Sequence, residues 1–174
     1  MENEKDLKTL VHDYAVENFK SGLNCAESVY DALLRSGALP VPKETIAMCI
    51  GFGGGVGLSG SACGALAAAI MANGAVYGRT DPWSVPQDVR GKENIEKYYR
   101  RYNQMVREFI AENGSMTCRE ICAPFADWHG KERRQNCLRL VAAAASMAYE
   151  FLQMTQEEAF ALPYGENIAG TDRK

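Results

Sequence analysis

Apolar residues recur along this chain at intervals of three and four, the spacing that lines one side of an α-helix. Leu7, Leu10, Val11, Tyr14 and Phe19 form a first stripe, closed by Ser21-Gly22. Val29, Ala32 and Leu33 form a second, on a helix predicted from Cys25 to about Arg35 and stopped by Gly37. Pro42-Lys43-Glu44 opens a third through Ile46, Met48 and Ile50. The fourth follows Ser61 and reads ACGALAAAIMANGAVYG. Its small side chains let another backbone approach closely, so it is predicted to be central; a face for a second copy of the chain is the other use of such a surface. A long helix from about Lys92 to Glu112 places Tyr98, Tyr102, Met105, Phe109 and Ile110 on one face, with Arg100, Arg101 and Arg107 on a solvated face. A short helix begins at Cys118 and breaks before Pro124. The last runs from Lys131 to Met154, with Leu138, Val141, Ala145, Ala148 and Leu152 inward. Period-two alternation is missing, and no repeat or linker divides the chain. The pattern predicts an all-α, single-domain helical bundle over 1–174, with a glycine-rich loop before the small-residue helix and a frayed tail from about 165.

Composition narrows the picture. Of 174 residues, 47% are hydrophobic and 24% charged, enough to build a core without disulfides. A net charge of −3 argues against a nucleic-acid partner held by its phosphates. The opening MENEKDLKTL has no apolar core of a signal peptide, and no stretch is long and apolar enough for a membrane span. A cytoplasmic, membrane-free protein is expected. In that reducing compartment six cysteines point to metal binding, redox work or burial rather than permanent disulfides.

Four of the cysteines share a placement. Asn24-Cys25-Ala26-Glu27 reads as a capping box that puts Cys25 in the first turn of its helix. Thr117-Cys118-Arg119-Glu120 repeats it for Cys118, and Ser61 can cap the fourth helix ahead of Cys63. Cys137 follows Asn136 near the start of the last helix. Helix N-termini carry partial positive charge and unpaired N–H groups, which favour thiolate over thiol. Only the thiolate ligates a metal or attacks a disulfide. Cys49 reads as core, and Cys122, four residues after Cys118, as packing, with a fifth ligand or a resolving thiol as its other roles. There is no C-x-x-C, against thioredoxin-type exchange and the common zinc spacings, and no C-x-x-C-H for covalent haem. His12 reads as a helix-face residue; His129, in Asp127-Trp128-His129-Gly130 ahead of Cys137, is a further ligand candidate.

The run GFGGGVGLSGSACGA, residues 51–65, contains Gly55-Val56-Gly57-Leu58-Ser59-Gly60, a formal match to G-x-G-x-x-G. The preceding ETIAMCI reads as helix rather than strand and no βαβ unit follows, which argues against a dinucleotide site. Glycines here could instead turn successive N–H groups into a concave nest for an anion and deliver Cys63 to it, or simply link two helices.

Together, Asn24-Cys25-Ala26-Glu27-Ser28-Val29, Phe52-Gly53-Gly54-Gly55 leading to Cys63-Gly64-Ala65, Asn113-Gly114-Ser115 before Cys118, and Cys137 resemble the redox-active protein family named for its C-GCAxxG-C-C cysteine pattern. The resemblance covers residue 25 to about 150, with Ala68 standing where the family has glycine. It implies that the four named cysteines correspond to Cys25, Cys63, Cys118 and Cys137, leaving Cys49 and Cys122 outside the pattern. Similarity of that family to the iron–sulfur part of split-Soret cytochromes implies a cluster, [2Fe–2S] in type, on those cysteines, with Gly53, Gly54, Gly55 and Gly64 at its cradle. Four thiolates saturate such a cluster, which favours electron transfer or sensing, with a redox protein partner, over catalysis. A thiol–disulfide protein led by Cys63 or Cys118, and a structural zinc module, remain the alternatives.

Overall fold

The structure, a computed structural model, describes residues 2–165, with side chains from Asp6 onward. Helix α1 (Glu2–Lys20) and α2 (Cys25–Arg35) pack side by side, joined by the turn at Ser21-Gly22. Helix α3 (Gly64–Tyr77) lies against α2, and the long α7 (Lys131–Gln153) packs on all three. These four helices make the core. Helices α4 (Gln87–Glu93) and α5 (Tyr99–Asn113) run together through one π-turn, Asn94–Tyr98, and cover one side. The short α6 (Cys118–Cys122) and α8 (Gln156–Phe160) complete the helices of the described residues. The fold is all-α and single-domain. Of the tail predicted to fray from about 165, Gly165 donates its N–H to Asn103 Oδ1 at 2.9 Å, and residues 166–174 lie outside the described residues.

Helix α3 is central for the reason its composition suggests. Gly64, Ala65, Leu66, Ala68, Ala69, Ala72 and Asn73 are buried, so its small side chains serve this chain's own core. Asn73 donates to the carbonyls of Ala69 and Ala148, each at 3.2 Å, tying α3 to α7. Tyr77 adds a 2.8 Å hydrogen bond to the Leu152 carbonyl.

Three segments depart from the sequence expectation. Lys43–Phe52 is wound as 3₁₀ turns, not as α-helix. Of its expected stripe only Ile46 packs, half-buried, against the core; Met48 and Ile50 are exposed, and Cys49 alone is buried. Thr45 Oγ1 also donates to the Pro42 carbonyl at 2.6 Å, tightening the first turn. The long helix starts earlier, at Gln87, and carries the π-turn. Finally, Arg101 is not on a solvated face but is 2% exposed. Its guanidinium donates to the carbonyls of Phe151, Met154 and Thr155, closing the C-terminal end of α7, and lies 3.9 Å from the Tyr77 ring centroid.

Candidate cysteine site

Four local structures bring four cysteines to one place. The capping box at α2 forms as the sequence predicts: Asn24 Oδ1 accepts from Ala26 N at 2.9 Å and Glu27 N at 3.0 Å, and Glu27 reaches back to Asn24 N at 3.0 Å. Cys25 is therefore the first residue of its helix. Cys63 and Cys118 are aligned by a single antiparallel bridge between Ala62 and Thr117. Cys63 N donates to Met116 O at 2.8 Å, and Cys118 N to Ser61 O at 2.7 Å. Each cysteine directly follows one member of the bridge, so the two are held on neighbouring backbones. Gly64 then packs so tightly that a Cβ there would lie 2.6 Å from the Phe52 carbonyl oxygen and 3.5 Å from Ala26 N. That contact brings the start of α3 against the start of α2, and Cys63 towards Cys25. Cys137 arrives from α7.

The glycine run forms the wall. Gly54, Gly55, Val56, Gly57 and Leu58 in succession have positive φ, between 59° and 72°, making a left-handed turn. Such a turn is cheap for glycine and costs a residue with a Cβ about 1–2 kcal/mol. The amides of Val56, Gly57, Leu58, Gly60 and Ser61 donate to carbonyls of residues 51–55. These five donors are thus committed to the turn itself, a different use from the anion nest the sequence suggested. Gly55 lies against α6: a Cβ there would sit 2.6 Å from Cys118 Cβ and 2.8 Å from Ser61 N.

The result is a cavity of about 30 Å³ lined by the thiols of Cys25, Cys63, Cys118, Cys122 and Cys137, by Gly54, Gly55 and Gly64, and by Arg133. No carboxylate or imidazole lines it. Gly53 is set back against Asn24. Cys49 is fully buried in the core, away from the cavity, and His129 is exposed in its loop, where its N–H donates to Asp127 Oδ1 at 2.9 Å. All six cysteines are free thiols.

Two capping expectations change. Cys63 is itself the N-cap of α3, and Ser61 does not cap it. At α6, Thr117 Oγ1 accepts from Glu120 N at 3.4 Å, but Glu120 bonds the Ser115 hydroxyl, because Ser115 Oγ already takes the Thr117 N–H at 3.0 Å.

Helix position does not decide the acidities. The Cys25 thiol is raised far above its ordinary value, first because it hydrogen-bonds Cys137 and then by burial. Burial raises Cys63, against the pull of the Ala65 and Leu66 amides, which lie near its sulfur without reaching cap geometry. Burial, followed by the neighbouring Cys122, pushes Cys118 up to about 12. Burial also raises Cys122. Cys137 alone goes down, to about 6, held first by the hydrogen bond from Cys25, with Arg133 and Cys122 adding to it against its own burial. Yet Cys137 is the cysteine farthest into its helix, which starts at Lys131 behind an N-cap, Gly130, with no capping side chain.

Arg133 is the residue that sequence reasoning missed. Its Nη1 lies 3.8 Å from Cys137 Sγ and its guanidinium 4.0 Å from the centroid of the Trp128 ring. Its Nε is buried without a hydrogen-bond partner among the described residues. The signal was present as the i, i+4 spacing of Arg133 and Cys137. A guanidinium facing a wall of sulfurs favours negative charge in that cavity.

Residues 23–151 match the family described as "Putative redox-active protein (C_GCAxxG_C_C)", and the chain belongs to that family. It is also 29% identical over 143 residues to an "Uncharacterized protein" of Archaeoglobus fulgidus, a match covering 80% of this chain and 91% of the relative. No solved structure matches.

Proposed function

We propose that this member of the redox-active family is a cytoplasmic protein that holds an iron–sulfur cluster, [2Fe–2S] in type, on the thiolates of Cys25, Cys63, Cys118 and Cys137, and exchanges electrons with a protein partner. The observation that carries the reading is the donor set: sulfurs and one cation around one cavity, with no oxygen or nitrogen ligand among the lining side chains. Thiolate sulfur suits iron of a cluster or zinc and is a poor match for magnesium or calcium. A bound cluster supplies one-electron exchange.

The chain's own residues supply the rest. The cavity as it stands has room for a water-sized guest, and its thiols hydrogen-bond one another. Among the described residues no three His, Cys, Asp or Glu side chains sit close enough to hold a single metal ion. Loading therefore requires the thiols to give up their mutual hydrogen bonds and turn towards the metal. Arg133 offsets the negative charge this creates, and Ile121, Leu140 and Val141 keep the inner wall dry. Leu58 and Trp128 are exposed on the outer side, where a partner can approach. No helix of the described residues is long and apolar enough to cross a membrane.

The acidity of Cys137 favours a second reading, thiol–disulfide exchange, because a thiol at about 6 is a thiolate at neutral pH. Anaerobic purification separates the two. The cluster reading predicts coloured protein with iron and acid-labile sulfide in about equal amounts. Protein that stays colourless and iron-free after anaerobic reconstitution contradicts it. Rapid, selective alkylation of Cys137 in such iron-free protein supports the second reading, and zinc without iron supports a structural metal site.

A further inference from the structure

Five thiols surround a cavity to which the cluster reading assigns four. The fifth, Cys122, lies one helical turn beyond Cys118 on α6, so both side chains project from the same face. It is within hydrogen-bonding reach of Cys118 on one side and of Cys137 on the other. Cys49, by contrast, is fully buried in the core. Cys122 is instead only half-buried and belongs to two spaces at once. It lines the inner cavity, and it lines an outer groove of about 310 Å³ with Leu58, Ser59, Arg119 and Trp128.

The two α6 thiols are held differently. Cys118 is pinned by its N–H to Ser61 O at 2.7 Å and by Gly55 against its Cβ. Cys122 is the last residue of the helix, just before Pro124, and sits where the buried thiols meet the surface groove.

Resting on the cluster reading above, we infer that Cys122 is a reserve ligand: a thiolate able to take the place of Cys118 at the metal and the first thiol that iron entering through the groove meets. In that exchange the Cys122 sulfur forms a bond to iron as the Cys118 sulfur releases one. The proton leaving Cys122 passes to the released Cys118 thiolate, and no electron is transferred.

The test compares wild type, Cys118→Ala, Cys118→Ala/Cys122→Ala and Cys63→Ala, each reconstituted anaerobically with ferrous iron and sulfide. Iron content, the visible spectrum and the electron paramagnetic resonance of the reduced protein are read, and far-UV circular dichroism reports the fold. Redundant ligands give strongly non-additive losses. Cys118→Ala is expected to keep about half or more of the wild-type iron with a shifted resonance, while the double variant and Cys63→Ala fall at least about tenfold. A helical Cys118→Ala protein as iron-free as Cys63→Ala overturns the inference and leaves the four-cysteine cluster standing. A double variant that holds iron as well as Cys118→Ala overturns it too. A wild type that takes up no iron removes the cluster reading and this inference with it. If Cys118→Ala unfolds, Cys118→Ser is read in its place against the Cys118→Ser/Cys122→Ala pair, by the same criteria.

Discussion

At the scale of single residues the site is governed by which thiol holds the proton. Cys25 and Cys137 share one across a hydrogen bond, and Arg133 keeps the charge on Cys137. A group whose folded pKa is depressed adds stability that builds as pH rises from the folded to the unfolded value. For Cys137 this is from about 6 to the ordinary 9.0. Cys25, Cys63 and Cys118 have raised values, so their contribution is intact below 9.0 and is lost above it, when the unfolded chain ionises first. Metal-free protein should therefore gain stability between pH 6 and 9 and lose it above 9, as measured by anaerobic urea melts. Cys137→Ser should abolish the rise and keep the fall. Arg133→Gln should move the alkylation midpoint of Cys137 upward, because a nearby positive charge favours the thiolate. The four cysteines were legible in the sequence because two carry visible capping residues and all fit one spacing pattern. Their acidities were not, because the helix-start argument treats each sulfur alone. In the folded chain burial raises most of them, and contacts with other thiols decide the rest.

At the scale of elements, the left-handed turn makes the sharpest demand. Val56, a β-branched residue at φ 62°, pays for a conformation that glycine takes freely. Val56→Gly removes about 1–2 kcal/mol of strain and adds about 0.5–1 kcal/mol of unfolded-state entropy, so the variant should be more stable by up to about 1.5 kcal/mol in urea melts. Gly55→Ala should do the reverse. It meets both the positive φ of 72° and the Cys118 Cβ, so it should cost at least about 2 kcal/mol and lower iron retention by displacing α6. The glycines announced an unusual turn in the sequence. Its left hand across five residues did not show, because Val56 and Leu58 are poor candidates for that conformation and are held there by their neighbours. Lys43–Phe52 misled in the opposite way: Ile46, Met48 and Ile50 look like a buried stripe, but no helix lies opposite Met48 and Ile50.

At the scale of the whole molecule, a bundle of α1, α2, α3 and α7 holds the cysteine-bearing helix starts and turns at one end. The bundle was legible from periodicity alone, above all in α2 and α7. What was not legible was Arg101, which looks like part of a surface array in RRYNQ yet closes the end of α7. Arg101→Leu removes the charged donor from the Phe151, Met154 and Thr155 carbonyls, of which Phe151 and Thr155 keep the backbone N–H groups of Met154 and Ala159, so it should destabilise the chain by about 2 kcal/mol while leaving the cysteine end, far along α7, able to take up iron. Equilibrium unfolding and iron content measured on one preparation check both parts. Whether sulfurs distant in sequence serve one metal centre is read from iron-edge X-ray absorption of anaerobically purified protein. The expected result is iron surrounded by sulfur alone with a resolved iron–iron vector, both lost in Cys63→Ala. Iron coordinated by oxygen or nitrogen, or a sulfur shell that survives Cys63→Ala unchanged, would contradict it.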